Sequence, residues 1–235
     1  MQLLGYNIDT VLPEIVSGNK LVINTINPHS YCVAKEDELF RQALQQSDVL
    51  LPDGVGIVYA ARILNKQKIQ RITGSDLHMY LLDVAQKRGL KVFYLGASAK
   101  TLQMIEAKIA AEYPAIRVAT YSPPYKPEFS AADSRQMIEA VNAFAPDVLF
   151  VGMTAPKQEK WVSQHHTSID AGVLCSVGAV FDFFTGNVKR PGKFWQNLGL
   201  EWLPRLVGEP KRLFKRNFYS TPRFLWEVVR KVIDN

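Results

Sequence analysis

The stretch Lys91-Val92-Phe93-Tyr94-Leu95-Gly96-Ala97-Ser98 decides the fold. Val92 to Leu95 is apolar without a polar gap, so the strand predicted over Lys91–Leu95 is covered on both faces. Gly96-Ala97-Ser98 then turns the chain into an amphipathic stretch that runs to Tyr113. A continuous apolar strand feeding a helix is the repeating unit of a parallel sheet with helices on both sides.

The same unit recurs in both directions. Upstream lie strand Lys20–Thr25, helix Pro28–Gln46, strand Asp48–Leu51 and helices Gly54–Leu64 and Ser75–Arg88, the last capped by Gly74 or Ser75 and ended by Gly89. Downstream lie strand Ile116–Tyr121, a loop marked by Pro123, Pro124 and Pro127, helix Ala131–Phe144, strand Asp147–Val151, helix Pro156–His166 and strand Gly172–Val177. The alternation stops near Gly186, and no strand pattern follows. The expected architecture is one α/β domain over residues 1–190 and a short helical appendage over 191–235.

The appendage differs in charge. Asn187 to Asn235 holds eleven Lys/Arg against four Asp/Glu, whereas the preceding residues hold seventeen against eighteen. Trp195, Trp202 and Trp226, three of the four tryptophans, sit in the same segment. Bases interleaved with Trp and Phe suit an anionic membrane surface, with Phe214, Phe218, Phe224 and Trp226 as candidate interfacial residues. That segregation argues against nucleic acid as the partner of a chain with a pI near 9.2. No run reaches the ~20 apolar residues of a membrane span, and no signal-peptide pattern opens the chain. Cys32 and Cys175 fit neither a disulfide framework nor a metal motif. His29, His78, His165 and His166 read as surface or core residues. A reduced, cytosolic protein with peripheral membrane contact is expected.

In a parallel sheet, ligands collect outside the carboxyl ends of the strands, and four predicted ends carry polar or glycine-rich chemistry. Asp53, between an apolar strand and Gly54, reads either as a helix N-cap or as a general base for a hydroxyl, with Gly54 and Gly56 admitting a substrate to the backbone. Thr25 and Asn27 read as sugar or phosphate contacts, or as turn chemistry ahead of Pro28. Arg71, before Gly74-Ser75, reads as a phosphate ligand or as a surface arginine. Gly96, Ala97 and Ser98 form a partial phosphate turn without the Gly-x-Gly-x-x-Gly of a dinucleotide site. Gly152 and Pro156-Lys157-Gln158-Glu159 read as a helix start, or as contacts to a base, ribose or diphosphate. Arg205, Arg212 and Lys215 can converge on a diphosphate or form a solvated basic face.

Taken in order, Thr25-x-Asn27, Asp53-Gly54-x-Gly56, Arg71-x-x-Gly74-x-Asp76, Phe93-Tyr94-Leu95-Gly96, Gly152-x-x-x-Pro156-Lys157-Gln158-Glu159, Phe181-Asp182-x-x-x-Gly186 and Gly199-Leu200-Glu201-Trp202-x-x-Arg205 resemble the WecG/TagA/CpsF glycosyltransferases. The resemblance implies a Rossmann-like α/β fold. It implies inverting, metal-independent transfer from a UDP-sugar to a polyprenyl-diphosphate-linked saccharide in bacterial surface-polysaccharide or wall-polymer assembly, on the inner face of the cytoplasmic membrane. No cofactor is implied. Asp53 matches the family's base, Thr25, Asn27, Arg71 and Gln158 its pocket, and Arg205 and Arg212 the arginines that close over the diphosphate. Lys215 stands where a third arginine is expected. A non-catalytic membrane-associated nucleotide-binding module and a dinucleotide oxidoreductase are the competing readings. The oligomeric state stays open, a homo-oligomer included.

Overall fold

A computed structural model describes residues 1–16, 18–188, 192, 195 and 215–234. Eight strands and nine α-helices are labelled among these residues, in chain order. The strands are β1 (Gln2–Leu3), β2 (Tyr6–Asn7), β3 (Leu21–Ile26), β4 (Val49–Pro52), β5 (Lys91–Gly96), β6 (Arg117–Tyr121), β7 (Val148–Gly152) and β8 (Val173–Ser176). The helices are α1 (Pro28–Ala34), α2 (Glu38–Gln45), α3 (Val55–Leu64), α4 (Gly74–Arg88), α5 (Ala99–Glu112), α6 (Ala131–Phe144), α7 (Lys157–His165), α8 (Val180–Thr185) and α9 (Thr221–Ile233).

Strands β3 to β8 form one parallel sheet in the order β4-β3-β8-β7-β5-β6, helices cover both faces, and α9 closes the chain. The fold is α/β and Rossmann-like. Alternation within β5 sorts its side chains: Val92 and Tyr94 face one way, Phe93 and Leu95 the other. On the first face Leu77 and Leu81 of α4, Ile105 of α5 and Phe181 of α8 pack on Ile23, Tyr94, Phe150 and Cys175. On the second, Met137 and Val141 of α6 and Trp161 and Val162 of α7 pack on Phe93, Leu149, Val151 and Leu174. Both faces are apolar, which is why the strands read as continuous runs.

Two connections set the position of a site. From β5 the chain runs through α5 to β6, toward one edge; from β7 it runs through α7 to β8, the other way. The β5 and β7 ends therefore flank the switch point of the sheet, where a crevice opens in folds of this kind. Gly96 and Gly152 are paired there, and a Cβ on Gly96 (φ 122°) would collide with the Gly152 carbonyl.

Three expectations need correction. The helix expected over Pro28–Gln46 is two helices, because Asp37 caps α2 by accepting from the Phe40 N–H at 3.0 Å. Helix α4 is capped by Thr73, not by Gly74 or Ser75: Thr73 and Asp76 form a reciprocal capping box. The N-terminus carries an unexpected hairpin, β1–β2, turned by Leu4 (φ 52°) and Gly5 (φ 86°). Beyond it, the Asp9 N–H donates to the Leu50 carbonyl and the Asp9 carboxylate accepts from the Leu50 N–H, so this segment covers the edge strand β4.

The C-terminal helix is anchored in the body. Phe224 and Val228 are buried with Tyr31 and Cys32 of α1 and Ile57, Ala60 and Ala61 of α3. Phe224 was expected at a membrane interface, yet it is 0 % exposed. The helix has two apolar stripes: Phe224 and Val228 face inward, whereas Leu225, Trp226, Val229, Val232 and Ile233 are exposed.

Candidate active site

The ends of β3 and β4 lie side by side, with Ile26 paired to Pro52. Past that pair the Asp53 N–H donates to the Ile26 carbonyl at 2.8 Å. The chain returns on the outer side, where the Ile72 N–H donates to the Pro52 carbonyl at 3.0 Å. Asp53 is thus held between the segment that ends in Asn27 and the one that carries Arg71. Thr25, Asn27, Asp53 and Arg71 are all partly buried, so each keeps some solvent access at this end of the sheet.

The turn around Asp53 is tightly packed. Gly54 occupies the N-cap position of α3 with φ 106°. A Cβ there would lie 3.2 Å from Pro28 Cδ and 3.4 Å from Asn27 Cβ. At Gly56 a Cβ would come within 2.5 Å of Pro28 Cγ and 3.5 Å of the Phe224 ring. Both glycines exist to let the Asp53 turn press onto the Asn27-Pro28 turn.

Asn27 caps α1: its Oδ1 accepts from the His29 and Ser30 N–H groups, each at 3.0 Å, and the Asn27 N–H donates to Ser30 Oγ at 2.8 Å. The cap occupies the carbonyl oxygen and orients the amide Nδ2. Helix α4 begins beside the end of β8, since a Cβ on Gly74 would sit 3.3 Å from the Val177 carbonyl oxygen and 3.4 Å from Val180 Cγ2.

Across the sheet, Gln158 joins two turns. Its Oε1 accepts from the Met153 N–H, after β7, and from the Gly178 N–H, after β8, each at 3.1 Å. Its Nε2 donates to Glu159 Oε1 at 2.8 Å. Gln158 and Glu159 are 3 % and 5 % exposed. Burial pushes the Glu159 carboxyl up to about 7, with the Gln158 hydrogen bond pulling the other way. Its Oε2 has no hydrogen-bond partner among the described residues. Among the described residues no three His, Cys, Asp or Glu side chains gather as metal ligands.

Residues 3–235 match the glycosyl transferase WecG/TagA/CpsF family. The chain belongs to that family. Among its relatives is the N-acetylglucosaminyldiphosphoundecaprenol N-acetyl-beta-D-mannosaminyltransferase of Bacillus subtilis (strain 168), 34 % identical over 210 residues, which are 89 % of this chain and 79 % of the relative. The protein of the same name from Bacillus spizizenii is 31 % identical over 208 residues, 88 % of this chain and 78 % of the relative. That from Staphylococcus aureus (strain MW2) is 28 % identical over 214 residues, 91 % and 82 % respectively.

Within this WecG/TagA/CpsF member the residues singled out from sequence fall into three sets. Thr25, Asn27, Asp53 and Arg71 come together at the β3 and β4 ends. Gly96 and Gly152 are paired at the switch point of the sheet; a Cβ on Gly152 would strike the Phe181 ring. Arg205 and Arg212 lie outside the described residues, and of Lys215 only the backbone, in a π-helical turn, is described.

Several of these residues also have local structural partners. Ser98 is the N-cap of α5, its Oγ accepting from the Thr101 N–H at 3.2 Å. The Ala97 carbonyl accepts from Ser122 Oγ at 2.8 Å, so this turn is tied to the end of β6. Lys157 does not reach into the crevice: its Nζ donates to the Lys126 carbonyl at 2.8 Å and lies over the Phe129 ring, and burial lowers its pKa. Pro156 takes the N-cap position of α7. Glu159 is an interior carboxyl bonded to Gln158. Gly54 and Gly56 also have a packing role, because a Cβ on either would meet Pro28. His78 is a core residue, ringed by Tyr94, Phe150 and Phe184.

The sequence reading missed the Thr73–Asp76 box, although Thr-x-x-Asp ahead of an apolar run is its signature. It also missed a latch between the C-terminal segment and α1. His29 Nδ1 and Ser220 Oγ are 2.8 Å apart, and Cys32 Sγ lies 3.3 Å from the Ser220 carbonyl oxygen. No local pattern announces a contact spanning 191 residues.

Proposed function

We propose that this chain is an inverting transferase that moves a sugar of the N-acetylhexosaminyl type from a UDP-sugar to a polyprenyl-diphosphate-linked saccharide, in bacterial surface-polysaccharide or wall-polymer assembly. The observation that carries the reading is the placement of Asp53. A carboxylate at a strand end, fixed by its backbone to β3 and flanked by Asn27 and Arg71, is where a base for an acceptor hydroxyl belongs. Family membership and the relatives' names support the substrate classes. The β linkage in those names is what inversion of an α-linked nucleotide sugar produces.

In this reading the acceptor hydroxyl attacks the anomeric carbon and gives its proton to Asp53 while the bond to UDP breaks. The uridine and its diphosphate lie along the β5 and β7 ends, over Gly96-Ala97-Ser98 and Gly152. The β3 and β7 ends are two strand spacings apart, about 10 Å, a gap that an extended nucleotide-sugar bridges with its sugar toward Asp53. Arg71 and Asn27 orient the sugars, and Arg205, Arg212 and Lys215 stabilise the leaving diphosphate. The sequence has no Asp-x-Asp pair to hold a divalent cation, so positive side chains take that role here. Residues 191–235 act as an appendage that helps close the site and seats the protein on the inner face of the cytoplasmic membrane. No helix among the described residues is long and apolar enough to cross a membrane, which suits a peripheral seat.

The test is a mass-spectrometric screen of UDP-sugars against short lipid-diphosphate acceptors, run with the wild type and Asp53→Asn. Transfer by the wild type is expected to fall roughly 10²- to 10⁴-fold in the variant, with UDP binding retained. Turnover in Asp53→Asn equal to wild type would remove Asp53 from the mechanism.

A further inference from the structure

Glu159 is the least expected group near the crevice. It is an acidic side chain in the interior, in the first turn of α7, with one oxygen bonded to Gln158 and the other without a side-chain partner among the described residues. Two more buried polar atoms without partners among the described residues belong to the same layer: Asn24 Oδ1 and Ser176 Oγ. Asn24 and Ser176 each follow directly on the paired Ile23 and Cys175 of β3 and β8. They alternate in phase with Val22 and Leu174, which pack against Trp161 and Val162, so they share the sheet face that α7 covers.

The amide of Gln158 can point either way, and only one orientation works. With Oε1 toward the two turns it accepts from both Met153 and Gly178; reversed, it would offer N–H to N–H. Those two donors select the orientation, and Glu159 Oε1 completes it by accepting from the Nε2, a buried donor that would otherwise lose its partner. We propose that Glu159 is a positioning residue for the donor site: by accepting from Gln158 Nε2 it anchors the amide that ties the turn after β7 to the turn after β8. It touches no substrate. Its influence on the site passes through Gln158 to the backbone beside the crevice, and the proposal rests on the donor site lying there.

Glutamine at 159 keeps an acceptor for Gln158 and puts a donor where Oε2 stands, near a layer that holds orphaned acceptors. Alanine removes the acceptor, leaves the buried Gln158 Nε2 without its partner and so loosens the bridge between the two turns. Four variants decide the matter: Glu159→Gln, Glu159→Ala, Gln158→Ala and the double Gln158→Ala/Glu159→Ala. Glu159→Met serves where the alanine variant does not fold. Donor KM and the Kd for UDP are expected to rise roughly tenfold in Glu159→Ala, with kcat changed much less. Glu159→Gln should stay near the wild type, and the double variant should be no worse than Gln158→Ala alone. Amide hydrogen exchange at Met153 and Gly178 is expected to quicken roughly tenfold in Glu159→Ala and not in Glu159→Gln. Unchanged exchange at both amides, or penalties of the two single variants that add in the double, overturns the link from Glu159 to Gln158. If wild-type UDP binding is absent while the exchange pattern is as expected, the link stands and the donor reading fails instead.

Discussion

At the scale of single residues, two buried titratable groups set opposite pH dependences. Burial raises Glu159 from 4.5 to about 7, so the folded state holds its proton more tightly than the unfolded chain does. That contribution to stability is complete below pH 4.5 and is lost as pH climbs to about 7. His78 is lowered from 6.5 to about 3, chiefly by burial. Its contribution is present above pH 6.5 and is lost as pH falls toward 3. The two windows do not coincide, and one substitution separates them. Urea melts of the wild type and Glu159→Gln should diverge as pH rises from 4.5 to 7, the wild type losing on the order of 3 kcal/mol relative to the variant. A stability difference that stays constant over that interval would show that the carboxyl is not held neutral by the fold. Sequence could mark Gln158-Glu159 as a helix start beyond a strand end, but not that both side chains point inward. Their depth is set by Met153 and Gly178, which meet them only in the folded sheet.

At the scale of elements, the strands and the Gly89 end of α4 were legible, and the Asp37 and Thr73 caps were not. Unbroken apolar runs such as Val92–Leu95 and Val148–Val151 can be little else than strands covered on both faces, and each begins or ends within a residue of its expected bound. The break between α1 and α2 was hidden because Tyr31, Cys32, Phe40 and Leu44 keep facing one core across it. Helix α9 shows the harder limit. Its sequence has apolar residues on two stripes, and composition alone cannot tell which stripe faces protein and which faces solvent. Phe224 packs against Tyr31, ring centroids 5.2 Å apart, and against the turn that begins at Asp53. Phe224→Ala should therefore cost about 3–5 kcal/mol of stability and lower transfer to a soluble acceptor. Trp226, 66 % exposed, should behave in the opposite way: Trp226→Ala is expected to leave the melting temperature within a degree or two and to weaken binding to anionic vesicles. Equal melting temperatures for the two variants would mean that α9 is not docked as described.

At the scale of the whole molecule, exposed apolar surface and the candidate base converge on one end of the fold. The ends of β3 and β4 carry Asn27 and Asp53; α1 and α3 leave those ends; α9 lies on both helices, held by Phe224, by the His29–Ser220 latch and by ion pairs of Lys35 with Glu227 and Arg223 with Glu36. The exposed stripe Leu225, Trp226, Val229, Val232 and Ile233 belongs to that same helix. A membrane met by this stripe would stand next to the Asp53 turn, where the lipid-linked acceptor of the proposed reaction would arrive. The basic excess of residues 187–235 and the exposed apolar stripe should then act separately on one equilibrium. Each base near an anionic surface is worth about 1 kcal/mol and is screened by salt; burial of Trp226 and its neighbours is not. Raising the ionic strength from about 0.1 to about 0.5 M shortens the Debye length from ~10 Å to under half of that. Vesicle binding should weaken several-fold over this range while turnover of a soluble acceptor, chelator present or absent, holds. Trp226→Ala should lower vesicle affinity by a similar factor at both ionic strengths. The dependence on chelator has its own meaning: loss of soluble-acceptor turnover in EDTA, restored by Mg²⁺ or Mn²⁺, would replace the proposed arginine and lysine charges with a metal. Salt-independent vesicle binding would leave the apolar stripe as the sole anchor and remove the tail's positive charge from membrane association.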